Sequence, residues 1–226
     1  MVVFTSRDSA QMIRSLRTPK YPLHIIIQPL ETLSVAQMID SASWSAQEAL
    51  DPEQQIGHSR RLYWIWNEKS RFLQTVSELN PFRSVYFAWL DIGALRHSSW
   101  NGELMMKRLP KEAGILLLGV GAFSPEELVI ENGTSLADFS KVDRIGGGMF
   151  GGSLENVQKW SKMYYTTLKR YFLSSRFGGK DQSVMATTCL QSDICLILGD
   201  TPRWFLLQEY YMGRIPDEPK RLNLTK

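Results

Sequence analysis

Cysteine is nearly absent from this chain: Cys189 and Cys195 are the only two among 226 residues. Two are too few for a disulfide framework, and their spacing offers no zinc-type pair, so both are expected as buried thiols. The three histidines, His24, His58 and His97, lie far apart without metal-ligand spacing, which argues against zinc. No serine nucleophile elbow or Walker loop is present, so acyl transfer and P-loop phosphate chemistry have no foothold. Long apolar runs are missing too. The longest, ILLLGVGAF at 115–123, falls well short of the roughly 20 residues a membrane span requires. The opening MVVFT lacks the basic segment, apolar core and cleavage site of a leader, and none is expected. Nor does one sign of charge dominate. The formal charge is +3, from 26 basic and 23 acidic residues scattered along the chain, so a nucleic-acid surface is not indicated.

With 43% hydrophobic and 22% charged residues, the composition fits one soluble globular domain over 1–226. Its core is expected over 2–200, with a tail from Thr201 wrapping the surface. Period and breakers predict strands at 2–5, 23–28, 84–91, 114–121, 144–152 and 194–200. Helices are predicted at 7–17, 59–78 and 154–173, the last capped by Ser153, and a shorter one ends near Gln191. A further helical region before the 59–78 helix is interrupted at Asp51-Pro52-Glu53. In the 59–78 helix, Leu62, Ile65, Trp66, Phe72, Leu73 and Val76 follow helical spacing, with Lys69 at the edge of the buried face. This alternation reads as an α/β fold, a mostly parallel mixed sheet covered by helices on both faces.

Such sheets bind ligands beyond the carboxyl ends of their strands. There the sequence places Asp91, which ends the apolar run VYFAWLD, and the glycines of GGGMFGG at 146–152. A buried carboxylate is costly unless paired or put to use, so Asp91 either caps a loop or does chemistry. The literal G-x-G-x-x-G at Gly146, Gly148 and Gly151 admits a nicotinamide reading, but it follows charged sequence rather than a buried first strand. A bare backbone surface for a flat polar ligand, or a tight turn, are the alternatives. In GKDQS, Asp181 is a helix-start charge or a base, with the Gln182 amide beside it. Trp64, Trp66, Tyr164 and Tyr165 fit core packing better than sugar stacking. Two sequons, at Asn132 and Asn223, do not decide a compartment.

HSRRLYWIWNEKSRFL, NPFRSVYFAWLDIGALR, GGGMFGG and GGKDQSVM, in that order and spacing, resemble the HtrL/YibB family, which is grouped with the glycosyltransferases. The resemblance covers about 2–200. It implies a type-A nucleotide-sugar transferase-like fold lacking its usual first strand. It also implies transfer of a sugar from a nucleotide-sugar donor to a glycan or lipid-linked saccharide. By that resemblance Asp91 is the loop carboxylate that holds Mn²⁺ or Mg²⁺, Lys69 reaches the diphosphate, and Arg61 is a second basic candidate. Gly147, Gly148, Phe150, Gly151 and Gly152 line the sugar or acceptor side, with Gln182 opposite and Asp181 as general base. The pattern departs at Gly93, where a second loop carboxylate is expected, and in a tail without histidine. Metal binding is therefore expected to be weak. A catalytically incomplete sugar- or nucleotide-binding or interaction module is the alternative. The compartment stays open: cytoplasmic for a bacterial chain, the Golgi for a eukaryotic one.

Overall fold

The computed structural model describes residues 1–95, 106–131, 134–135 and 137–224. His97 and Asn132 lie outside them. The chain opens with a parallel pair, β1 (Val2–Thr5) and β2 (His24–Ile27), joined by α1 (Arg7–Leu16). The side chain of Ser6 caps α1 by accepting from the Ser9 amide, one of the donors a helix start leaves without a partner. Then come α2 (Ser34–Met38), α3 (Ser41–Leu50) and the long α4 (Arg60–Leu79). Asn80 ends α4 in a left-handed conformation, φ 40°, a role glycine usually fills and asparagine sometimes takes.

β3 (Phe87–Leu90), β4 (Ile115–Gly119), the small hairpin β5 (Ile130–Glu131) and β6 (Thr134–Ser135), and β7 (Ile145–Gly152) follow. The chain continues through α5 (Leu154–Leu173), α6 (Asp181–Leu190), β8 (Cys195–Leu198) and α7 (Leu206–Tyr211). The main sheet has the order β3-β7-β4-β8. β3, β4 and β8 run in one direction, whereas β7 opposes both of its neighbours.

The sheet is mixed, but its pairings are not mostly parallel as expected. A parallel return needs a crossover of a dozen or more residues, usually a helix. Between β4 and β7 the described residues hold only the β5–β6 hairpin, so β7 comes back antiparallel.

Helices cover both faces. Phe87, Ile115, Leu117 and Phe150 pack with α4, α5 and α6. Leu116, Leu118, Met149, Leu196 and Leu198 pack with Leu206, Leu207, Tyr210 and Tyr211 of α7. The segment beyond Thr201 thus supplies one wall of the core, where a surface wrap was expected. Its later part returns to the sheet edge, where Ile197 and Lys220 exchange backbone hydrogen bonds. Among the described residues no helix is long and apolar enough to cross a membrane.

The two cysteines are not thiols. Cys189, in the last turn of α6, and Cys195, at the start of β8, form a disulfide with Cα atoms 5.5 Å apart. The short turn reverses the chain and brings both side chains into the same buried layer, a proximity that spacing alone did not reveal. Closing so short a loop contributes about 2 kcal/mol in the chain-entropy picture. Reduction, or the paired change Cys189→Ala with Cys195→Ala, should lower the melting temperature by about 5 °C. Differential scanning fluorimetry with and without reductant reads this directly.

Candidate functional site

The site is assembled from α4 outward. Helical spacing placed Leu62, Ile65 and Trp66 on the buried face, yet these are only half-buried. Val76 is half-buried too, Phe72 and Leu73 are buried as expected, and the other buried positions are Tyr63, Asn67, Glu68, Lys69, Ser70 and Ser77. Burying so many polar groups is tolerable only because each finds a partner. Glu68 accepts the Ser34 and Val35 amides at 3.0 and 2.9 Å, so it caps α2 from a neighbouring helix. Ser70 accepts from the Trp160 indole at 3.0 Å. The Tyr165 hydroxyl inserts into one turn of α4, donating to the Asn67 carbonyl at 2.9 Å and accepting the Arg71 amide at 3.0 Å. That turn carries Glu68, Lys69 and Ser70.

Asn67 fixes the other half of the site. Its amide nitrogen donates to the carbonyls of Gly178 and Gly179, both at 3.0 Å, and its oxygen accepts from the Tyr164 hydroxyl at 2.6 Å. Gln47 grips the same turn, donating to the Arg176 carbonyl and accepting the Gly178 amide. The turn is tightly packed: a side chain at Gly179 would meet Phe177 and Tyr63. Held this way, it delivers Asp181, the first residue of α6, to Lys69.

Lys69 is the centre. Its ammonium lies 3.0 Å from Asp91 Oδ2, 2.9 Å from Asp181 Oδ2 and 3.1 Å from the Gly147 carbonyl. Asp91 Oδ1 accepts from the Trp89 indole at 2.6 Å, and Asp181 Oδ1 accepts the Gln182 amide at 3.0 Å. Burial alone would lower the lysine's pKa, but two adjacent carboxylates outweigh it and the net shift is upward. Burial raises the pKa of Asp181, and Lys69 opposes that rise without cancelling it. One ammonium between two carboxylates leaves a negative balance. The three groups also differ in access: the side chains of Lys69 and Asp181 are 4% exposed, that of Asp91 37%. Asp91 alone of the three meets solvent substantially.

β7 completes the arrangement. Leu117 of β4 pairs with Phe150, but Leu118 pairs with Gly146, so Gly147–Met149 bulge away from β4. A bulge re-aims the chain locally, and here it accompanies the Gly147 carbonyl's contact with Lys69. A Cβ at Gly147 would lie 2.5 Å from Asp181 Oδ2, whereas one at Gly148 would meet nothing nearer than Asp91 Oδ2 at 3.8 Å. Gly147 is therefore filled by the site, and Gly148 borders open space next to Asp91.

The structure thus brings together Lys69, Asp91, Asp181, Gly147 and Gly148, with Gln182 half-buried alongside and donating to the Ile145 carbonyl at 2.8 Å. Other candidates fall elsewhere. Arg61 is exposed and paired with Glu31 at 2.6 Å, about 12 Å along α4 from Lys69 at the usual helical rise. Phe150 is fully buried against Trp160. Gly151 sits against the backbone of β3, and Gly152 against Ile115 and Asn156, so both serve close packing. Lys69 itself, with its three donors engaged and its amine buried, braces two carboxylates and has no free donor for a diphosphate.

Histidine spacing missed one further group. Asp51, Glu53 and His58 present ligand atoms within 4.8 Å of one another and could hold a metal ion. In the chain as it stands they are hydrogen-bonded: Asp51 Oδ2 meets His58 Nδ1 at 2.8 Å and the Tyr63 hydroxyl at 2.6 Å, and Oδ1 accepts the Glu53 amide. Burial opposes ionisation of Asp51, yet these bonds from Tyr63, Glu53 and His58 hold its pKa below the ordinary range. Glu53 also pairs with Lys180, the residue before Asp181. The only sequence trace was the D-P-E…H spacing at the break before α4. Compared with protein families, curated proteins and solved structures, the chain matches none.

Proposed function

We propose that this chain is a glycosyltransferase of the type-A nucleotide-sugar class, in which Asp91 is the carboxylate that meets the donor. The observation that carries this reading is the exposure of Asp91 at the carboxyl end of β3, braced from behind by Lys69 and bordered by the bare backbone of Gly148. Ligands of open α/β sheets gather at such strand ends. The negative balance of the Lys69, Asp91 and Asp181 group favours a cation there, and a divalent ion arriving with a nucleoside diphosphate supplies one. The fit is through Asp91's outward lone pairs, because the Lys69 ammonium fills the space between the two carboxylates. When bound, such an ion would neutralise the leaving diphosphate.

In transfer, the bond from the anomeric carbon to the diphosphate breaks, an acceptor hydroxyl oxygen bonds to that carbon, and the hydroxyl proton passes to a base. Asp181, the base implied by the family resemblance, is sealed behind Gly147 and Lys69. Asp91 is the carboxylate of this set within reach of an acceptor. The sealing of Asp181 favours a second reading, a module that binds the nucleotide sugar without transferring it.

The test is a thermal-shift screen of nucleoside diphosphates and their sugars with manganese, paired with an assay for diphosphate release. A ligand present at 100 times its Kd stabilises the fold by about 2.7 kcal/mol, roughly 5–10 °C for a domain of this size. Asp91→Asn leaves Asp181 as a charged partner for the buried Lys69 ammonium and keeps an oxygen at position 91, so the fold should persist, and the substitution should remove the shift. Release of diphosphate supports transfer. A shift without release supports the binding module, and no shift with any nucleotide refutes both.

A further inference from the structure

The break between α3 and α4 gathers a second set of side chains, sharing no residue with the Asp91 group. Asp51 closes α3, a short turn runs through Gln54–Ile56, and Gly57 reverses the chain with φ 95°, a conformation glycine adopts at no steric cost. His58 is thereby returned to Asp51, Nδ1 lying 2.8 Å from Oδ2. With Glu53 they present three ligand atoms that all lie within 4.8 Å of one another.

The charges here do not balance. Asp51, Glu53 and Asp143 stand against one ammonium, that of Lys180, which is 3.0 Å from Glu53 and 3.0 Å from Asp143. With the imidazole neutral, as a metal ligand must be, the excess equals the charge of one divalent cation. The Asp51 side chain carries its share with no exposure to solvent, where an unbalanced charge is costly.

The donors are also held in place from behind, as ligating groups are. The buried Tyr63 hydroxyl donates to Asp51 Oδ2 at 2.6 Å, and the Glu53 amide donates to Oδ1 at 2.8 Å. The His58 ring stands edge-on to Trp66 and Tyr63, with centroids 5.0 and 6.5 Å away. Access runs outward: the His58 side chain is 14% exposed and that of Glu53 43%. One oxygen of Glu53 holds Lys180, and a carboxylate has a second to give.

One imidazole nitrogen with two carboxylates suits zinc, cobalt or nickel better than magnesium or calcium, which take oxygen shells. With bonds of about 2.1 Å, adjacent donors sit about 3.0 Å apart around a six-coordinate ion and about 3.4 Å apart around a tetrahedral one. The 2.8 Å between His58 and Asp51 is closer to the first, so a six-coordinate ion completed by water enters with the smaller displacement.

We infer that Asp51, Glu53 and His58 bind a divalent transition-metal ion of the zinc type. The ion takes the place of the hydrogen bond between His58 and Asp51, with the ring proton relocated to Nε2. Because Glu53 also holds Lys180, the residue before Asp181, the ion ties the α3–α4 break to the start of α6. None of this rests on the nucleotide-sugar reading.

The test titrates zinc into the chelator-treated full chain against a zinc indicator dye, with no nucleotide present. One equivalent should bind, and a tenfold excess of magnesium should not displace it. Cobalt, a paramagnetic substitute, should shift or broaden the amide signals of residues 51–58 more than those of β3 or β7. His58→Gln keeps a donor for Asp51 but loses the imidazole, and should weaken zinc binding at least tenfold. Glu53→Gln, at a partly exposed side chain, should do the same, so the answer does not depend on one variant folding. Asp91→Asn should leave zinc affinity unchanged, whatever it does to a nucleotide-dependent shift. The inference is overturned if the chain takes up no zinc, if magnesium displaces it, if both position-58 and position-53 variants bind as tightly as the parent, if cobalt perturbs β3 or β7 most, or if Asp91→Asn abolishes zinc binding.

Discussion

Lys69→Met should cost about 3–5 kcal/mol at neutral pH, the usual result of removing one partner from a buried ion pair. Methionine matches the lysine in length and leaves little cavity, so the loss reports on charge. What remains is Asp181, almost wholly buried, with Asp91 beyond it and no ammonium between them. Burial already holds the Asp181 carboxyl above its ordinary range while Lys69 opposes the rise. Deleting Lys69 removes the opposition and pushes that carboxyl further up.

A carboxyl raised in the folded state contributes its stability below the unfolded pKa and loses it as pH climbs through the folded value. The variant should therefore be least impaired near pH 4 and increasingly impaired toward neutrality. Urea unfolding at several pH values checks this, and a loss equal at every pH would show that packing is responsible. Lys69→Met combined with Asp181→Asn removes the stranded charge and should recover much of the loss.

The burial of Lys69 is the feature that sequence reasoning was least able to see. Hydrophobic period scores each side chain by its own cost of leaving water, whereas α4 buries Asn67, Glu68 and Lys69 because partners arrive from elsewhere: Tyr164 from α5, the amides of Ser34 and Val35 from α2, and Asp181 from α6. A pattern of period 3.6 carries no information about such pairings. It placed Lys69 at the edge of a face whose centre it occupies. By contrast, the local signals that Ser153 caps α5 and that an apolar strand stops at Asp91 were legible, because each depends on neighbours in the chain.

The glycine run shows the same division. Its seven residues were visible as a surface poor in side chains, but which of them face a ligand depends on register and on the bulge opposite Leu117 and Leu118. Only the beginning of the run reaches the site. The disulfide and the antiparallel return of β7 likewise follow from what the chain does in space: one from a short reversal into a common layer, the other from the lack of a crossover helix between neighbouring strands.

Gly147→Ala and Gly148→Ala, one residue apart, should separate the fold from the site. At Gly147 the added methyl would lie 2.5 Å from Asp181 Oδ2 and 2.9 Å from Oδ1 and Cγ. That carboxylate cannot simply swing aside, because Lys69 and the Gln182 amide hold its two oxygens. Overpacking of this kind costs about 1–3 kcal/mol, and displacing a buried ion pair adds to it, so a loss of about 3 kcal/mol or more is expected. At Gly148 the methyl meets only Asp91 Oδ2 at 3.8 Å, an ordinary contact. Stability there should change by less than about 1 kcal/mol, partly offset by the smaller entropy of the unfolded chain. The methyl nevertheless stands next to the exposed carboxylate, where a ligand would lie against backbone. Chemical unfolding should therefore show the large loss at position 147, while a nucleotide-dependent thermal shift should weaken or vanish at position 148 in a protein that is otherwise intact. A Gly148→Ala chain that keeps the full shift would place the ligand somewhere other than the surface next to Asp91.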